Sequence, residues 1–142
     1  MNQRGFATLE VILMVMVIGV LASIAVPRFT AVTAAANTAK IQADLTTIDT
    51  AIAVYHMEYG EDKNPSIDDL VTNKYLQAKP EPPNGKCYYE TTSTDGTTST
   101  TTSTEPKAVP DTKYDINNDG QAILGTGNTA DKFKVPKKTA TP

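Results

Sequence analysis

Residues 11 to 26 read Val-Ile-Leu-Met-Val-Met-Val-Ile-Gly-Val-Leu-Ala-Ser-Ile-Ala-Val, an unbroken run without a charge. Glu10 stands before it, and Pro27-Arg28 follows. Extended back to Phe6, the segment holds about 20 residues, enough at 1.5 Å per residue to cross ~30 Å of hydrocarbon. Such a helix must bury itself in lipid or in other copies. The remainder of the 142 residues is polar and accounts for only one domain.

Three readings compete for the segment. In a secretory signal peptide, Arg4 would be the charged leader and Ser23-Ile24-Ala25 the small-x-small cleavage site. A plain N-terminal anchor is the second. The third rests on Glu10. A carboxylate inside an apolar span costs about 2.5–3.5 kcal/mol on insertion scales, and neither a signal peptide nor a simple anchor gains anything from it. An intramembrane carboxylate is therefore a functional group in search of a partner charge.

Past Pro27 a helical pattern continues. Residues 31–39 are rich in alanine, and Ile41, Leu45, Ile48, Ile52, Tyr55 and Tyr59 then recur at spacings of four and three. That is one apolar stripe on a helix. Lys40, Gln42, Asp44, Thr47 and Glu58 fall off the stripe, and Gly60 is placed to stop the helix. Pro27 and Gly19 are expected to weaken it, the first by removing a backbone bond and crowding the preceding turn. Residues 66–76 read as a short second helix with Ser66 as cap and Asp69 at the capping-box position. Residues 86–90, 112–117 and 121–125 read as strands, and Asn118-Asp119-Gly120 marks a hairpin between the last two. The expected fold is α+β, a long helix packed on a small antiparallel sheet. Residues 91–104 contain twelve Ser or Thr in fourteen positions; a protruding polar hairpin and a disordered loop suit that composition equally. A frayed tail is expected over residues 131–142.

The composition excludes several functions. A formal net charge of −3 argues against a nucleic-acid binder. A single cysteine, Cys87, rules out an intrachain disulfide framework, and a single histidine, His56, makes a His-based metal site or catalytic triad a poor reading. Cys87 is expected as a buried thiol, and His56 at the edge of the core. Asp115-x-Asn117-x-Asp119-Gly120 matches the first half of a calcium loop, but position twelve is Thr126 and the bidentate acid is missing. Two polar strand ends around a turn explain the same residues; calcium completed by other loop oxygens is the alternative.

The stretch Arg4-Gly5-Phe6-Ala7-Thr8-Leu9-Glu10, with the apolar run and Pro27 behind it, resembles the N-terminal signal of type IV prepilins and type II secretion pseudopilins. The resemblance covers roughly the first 30 residues. It implies a leader of residues 1–5, cut by a prepilin peptidase between Gly5 and Phe6, methylation of the new Phe6 terminus, and Glu10 as the assembly carboxylate. It implies an assembly helix over residues 6–29 whose weak points, Gly19 and Pro27, partly melt in the filament, and a pilin-like domain over 30–130. It further implies a non-enzymatic subunit in the inner membrane, N-terminus cytoplasmic, that polymerises with itself. An assembly platform, an ATPase and minor pilins or pseudopilins are the implied partners. Within the resembling family the absent disulfide points away from Gram-negative major pilins and towards pseudopilins or Gram-positive-type and competence-type pilins. With the compact C-terminal domain the chain resembles a major pseudopilin, and a type IV or competence pilin is the alternative. A Thr-rich binding module released after Ala25 is the remaining alternative.

Overall fold

In a computed structural model of the chain, residues 3–61, 63–92, 100–101 and 105–136 are described. Helix α1 runs Gln3–Tyr59, α2 Ile67–Thr72, and six short strands follow: β1 Lys86–Cys87, β2 Thr91–Thr92, β3 Thr100–Thr101, β4 Lys107–Ala108, β5 Tyr114–Ile116 and β6 Ala122–Leu124. A 3-10 turn, Ala130–Lys132, comes last. The α+β class expected from the sequence is what forms. The contacts divide the chain at Val32/Thr33, and each part is described by itself.

In the first part α1 is helical through both Gly19 and Pro27. Two hydroxyls fold back onto it: Ser23 Oγ donates to the Val20 carbonyl at 2.7 Å and Thr30 Oγ1 to the Val26 carbonyl at 3.2 Å. Their donors are thereby satisfied inside the helix, which an apolar environment demands.

In the second part the apolar stripe of α1 is the floor of the core. Ile41, Leu45, Ile48 and Ile52 are buried, and Ala34, Thr38 and Ala51 join them on the same side. Tyr55 is half-buried, but Tyr59 is 47% exposed, so the stripe ends one turn earlier than its spacing suggests. Thr38 is the one buried polar residue of this face. It donates to the Ala34 carbonyl at 2.8 Å and accepts the Tyr88 amide at 2.8 Å, so its burial leaves no orphaned group. The helix stops where Gly60 takes φ +92° and its amide caps the His56 carbonyl at 2.8 Å.

Helix α2 carries the expected capping box, with Ser66 and Asp69 bonded reciprocally. It is shorter than residues 66–76, because the chain turns at Asn73 and Lys74 takes φ +65°. Leu76 nonetheless enters the core. The β region is three two-stranded antiparallel ladders rather than one sheet: β1 with β4, β2 with β3, β5 with β6. Of residues 86–90 only Lys86 and Cys87 form a strand, paired with Lys107 and Ala108, which showed no alternation to announce them. The β5–β6 hairpin matches expectation. Asn117 and Gln121 close its turn, and Gly120 takes φ +73°.

Thr91 and Thr92 pair with Thr101 and Thr100, and the rest of the Thr-rich stretch, 93–99 and 102–104, lies outside the described residues. The expectation of a frayed tail from Asp131 is corrected. Phe133 is fully buried, 5.7 Å from the Tyr89 ring, and the Glu90 amide donates to the Lys132 carbonyl at 2.8 Å. One aromatic side chain is enough to pull residues 131–133 into the core against a lysine-rich composition. Residues 137–142 lie outside the described residues.

These ladders are too short to hold themselves, and side chains of α1 tie them down. Asn37 Nδ2 donates to the carbonyls of Asn84 (3.2 Å) and Lys86 (2.9 Å) at the start of β1. Asp44 Oδ2 accepts from Tyr114 Oη of β5 at 2.8 Å and pairs with Lys40 at 3.0 Å. Asp49 Oδ1 accepts from the Ala122 amide of β6 at 2.7 Å. Burial, with the Asp44 carboxylate beside it, pushes the Tyr114 phenol well above its ordinary range.

Candidate assembly site

The residues singled out at the N-terminus all lie in the first part. From Phe6 to Val32 every large apolar side chain is exposed: Phe6 by 78%, Met16 by 71% and Leu21 by 62%, for example. A helix apolar on every side has no single face to offer a domain core; it needs an apolar surround. By length and composition, α1 contains a stretch able to cross a membrane. Glu10 is exposed at the head of this stretch and has no ion-pair partner among the described residues. Phe6 and Glu10 are four residues apart, so they lie on one face of the helix. Gly5 lies within α1, and a Cβ at Gly19 would meet nothing within 4 Å. The site thus consists of a helix surface and one carboxylate.

Elsewhere the proposed calcium residues fall on the β5–β6 turn. Asn117 Oδ1 accepts the amides of Asp119 (3.0 Å) and Gln121 (2.8 Å), and Asp115 Oδ1 accepts the Ile116 amide at 2.8 Å. The turn itself thus engages the Asn117 side-chain oxygen and one Asp115 oxygen of the proposed set. Among the described residues no group of three or more His, Cys, Asp or Glu side chains is placed to hold a metal. Cys87 is a buried free thiol, as expected, and desolvation pushes it up to about 11. His56 is half-buried, its Nε2 without a hydrogen-bond partner. Three side chains that sequence reading passed over, Asn37, Asp44 and Asp49, anchor the strands. Their only signal was polarity at the margin of an apolar stripe.

The chain is similar to the type II secretion system core protein G of Pectobacterium carotovorum subsp. carotovorum. It is 30% identical over 83 residues, 56% of this chain and 52% of that protein. The chain therefore spans about half the length of the curated relative it matches. No family model matches it, and no solved structure does so significantly. The likeness to type IV pilins and type II secretion pseudopilins drawn from residues 4–27 thus has a named protein beside it, over more of the chain than that signal alone.

Proposed function

We propose that the chain is a structural subunit of a type II secretion pseudopilus, of major-pseudopilin type, held in the inner membrane by the apolar half of α1. The observation that carries this reading is the exposed, charge-free surface from Val11 to Val26, headed by a carboxylate with no ion-pair partner among the described residues. Lipid covers that surface in the unassembled subunit, and other copies cover it in a filament. Similarity to a type II secretion core protein supports the choice of machine. The role is one of packing, not catalysis.

On this reading a prepilin peptidase cuts between Gly5 and Phe6 and the new amino terminus is methylated. The cut creates two features at once: an ammonium charge, and a helix end whose first amides have no intrahelical partner and which favours anions. Glu10 of a subunit already in place answers both. In a low-dielectric filament core that pairing relieves the isolated carboxylate, sets the axial register and draws subunits from the membrane pool. A platform and an ATPase add them one at a time, and minor pseudopilins complete the filament. Gly19 and Pro27 supply the stretch where α1 loosens on packing. No cofactor enters this scheme; a calcium ion at the β5–β6 turn would compete with the Asp119 and Gln121 amides for Asn117.

The test is to shear filaments from cells and compare sheared with membrane fractions. Removing one partner of a buried pair costs about 3–5 kcal/mol, so Glu10→Val is expected to be cut after Gly5, stay in the membrane and yield almost no filament. Gly5→Val is expected to accumulate uncut. Wild-type filament yield from Glu10→Val would remove the charge pairing. A mature terminus at Val26, read by mass spectrometry, would replace the whole scheme with a secreted module.

A further inference from the structure

Three positions in the chain place a side-chain carbonyl directly before a glycine: Asn84-Gly85, Asp95-Gly96 and Asp119-Gly120. With no Cβ to hinder it, a glycine amide nitrogen can approach the preceding side-chain carbon. That approach closes a five-membered imide, the first step of deamidation or isomerisation. Asp95-Gly96 lies outside the described residues. The other two differ sharply. The Gly120 amide is held by the Asn117 carbonyl at 3.0 Å, and the turn is packed so closely that a Cβ on Gly120 would come 2.9 Å from Asn64 Oδ1. The Gly85 amide makes no hydrogen bond among the described residues, and neither does the Asn84 carboxamide. Asn84 is exposed, and both residues line an open cleft with Pro82, Pro83 and Lys113. Water and hydroxide therefore reach the pair, and no hydrogen bond occupies the Gly85 N–H that must lose its proton, although the Asn84 carbonyl of the same peptide unit is bonded to Asn37 at 3.2 Å.

We propose that Asn84-Gly85 is a self-modification site at which the folded protein ages by deamidation. The deprotonated Gly85 nitrogen bonds to Asn84 Cγ, and the Cγ–Nδ2 bond breaks. Ammonia leaves, its added proton supplied by solvent in exchange for the one the amide lost. One water then opens the imide. Attack at Cγ leaves aspartate; attack at the main-chain carbonyl leaves isoaspartate, with one extra methylene in the backbone. The net change is carboxamide plus water to carboxylate plus ammonium.

The place matters because the β1–β4 ladder is fixed here. Asn37 grips the carbonyls of Asn84 and Lys86, and the Gly85 carbonyl accepts the Val109 amide at 3.0 Å. Lengthening the chain between these grips strains the ladder, and the new carboxylate adds a negative charge to the cleft.

The experiment is to age the full-length protein in detergent in neutral and alkaline buffers and map its peptides by mass spectrometry, with enzymatic labelling of isoaspartate. The peptide containing Asn84 is expected to gain the mass of an amide-to-acid change, faster at higher pH and with isoaspartate present. The peptide holding Asp119-Gly120 is expected to stay unlabelled. Asn84→Gln, which would have to close a larger ring, is expected to abolish the gain. An unchanged Asn84 peptide in folded protein, with change only after denaturation, would overturn the proposal. So would isoaspartate arising at Asp119 as fast as at Asn84.

Discussion

The two stretches of α1 on either side of Val32/Thr33 are built from similar residues and handle water differently. From Phe6 to Val32, valine, isoleucine, leucine and methionine point in every direction, and all of them are exposed. Beyond it, most large apolar residues fall on one stripe, with Val54 and Met57 exposed off it, and Ile41, Leu45 and Ile48 are fully buried under strands drawn from residues 86–124. The same kind of side chain is thus a stabiliser of this chain's own fold in one stretch, and in the other a demand for another surface. Hydrophobicity alone does not separate the two; its angular distribution around the helix does.

That contrast breaks most easily at Ile48. Ile48→Asp puts an unpaired carboxylate against Leu45, Ile52 and the strands, and is expected to cost more than about 4 kcal/mol. The fragment 30–142 carrying it should lose its cooperative urea transition; a folded variant would mean the buried face is wrongly assigned. Phe133→Ala comes next. A fully buried ring leaves a cavity, at about 3–5 kcal/mol, whereas a frayed tail would lose nothing. Urea midpoints of the same fragment decide between them. Ser66→Ala removes one half of the α2 capping box and is expected to cost about 1 kcal/mol. At the far end of the scale stands Leu13→Ala. It should leave unfolding of the rest of the protein in detergent unchanged, because no core contains Leu13. A measurable loss there would erase the distinction between the two stretches.

The local devices were legible in the sequence because each is a short-range rule. Gly60 ends α1, Ser66 and Asp69 cap α2, and Asn118-Asp119-Gly120 turns the β5–β6 hairpin, all within four residues of their partners. What escaped notice was non-local. Lys107-Ala108 becomes a strand only because Lys86-Cys87 lies beside it, and Phe133 is core only because Tyr89 and the strands leave it room. Asp44 read only as a position off the apolar stripe and Asp49 drew no reading, because their partners, Tyr114 and the Ala122 amide, come from about 70 residues away. Glu10 stood out through the cost of a carboxylate beside an apolar span, whereas Gly5 and Phe6 were singled out by family resemblance alone. The structure adds that Phe6 and Glu10 are exposed on one helical face; their processing and pairing rest on the proposed experiment.

The side-chain ties from α1 to the strands also have a consequence for how the chain comes to its fold. Asn37 waits for a carbonyl 47 residues downstream, and Asp49 for an amide 73 residues downstream. Contacts of such long sequence separation form late and slowly. During synthesis the stripe from Ile41 to Ile52 is therefore complete before the strands that finish its cover exist. Ile67, Leu70 and Leu76 can reach the core first, but until residues 114–124 are made the cover is incomplete. For that interval the domain is exposed to aggregation.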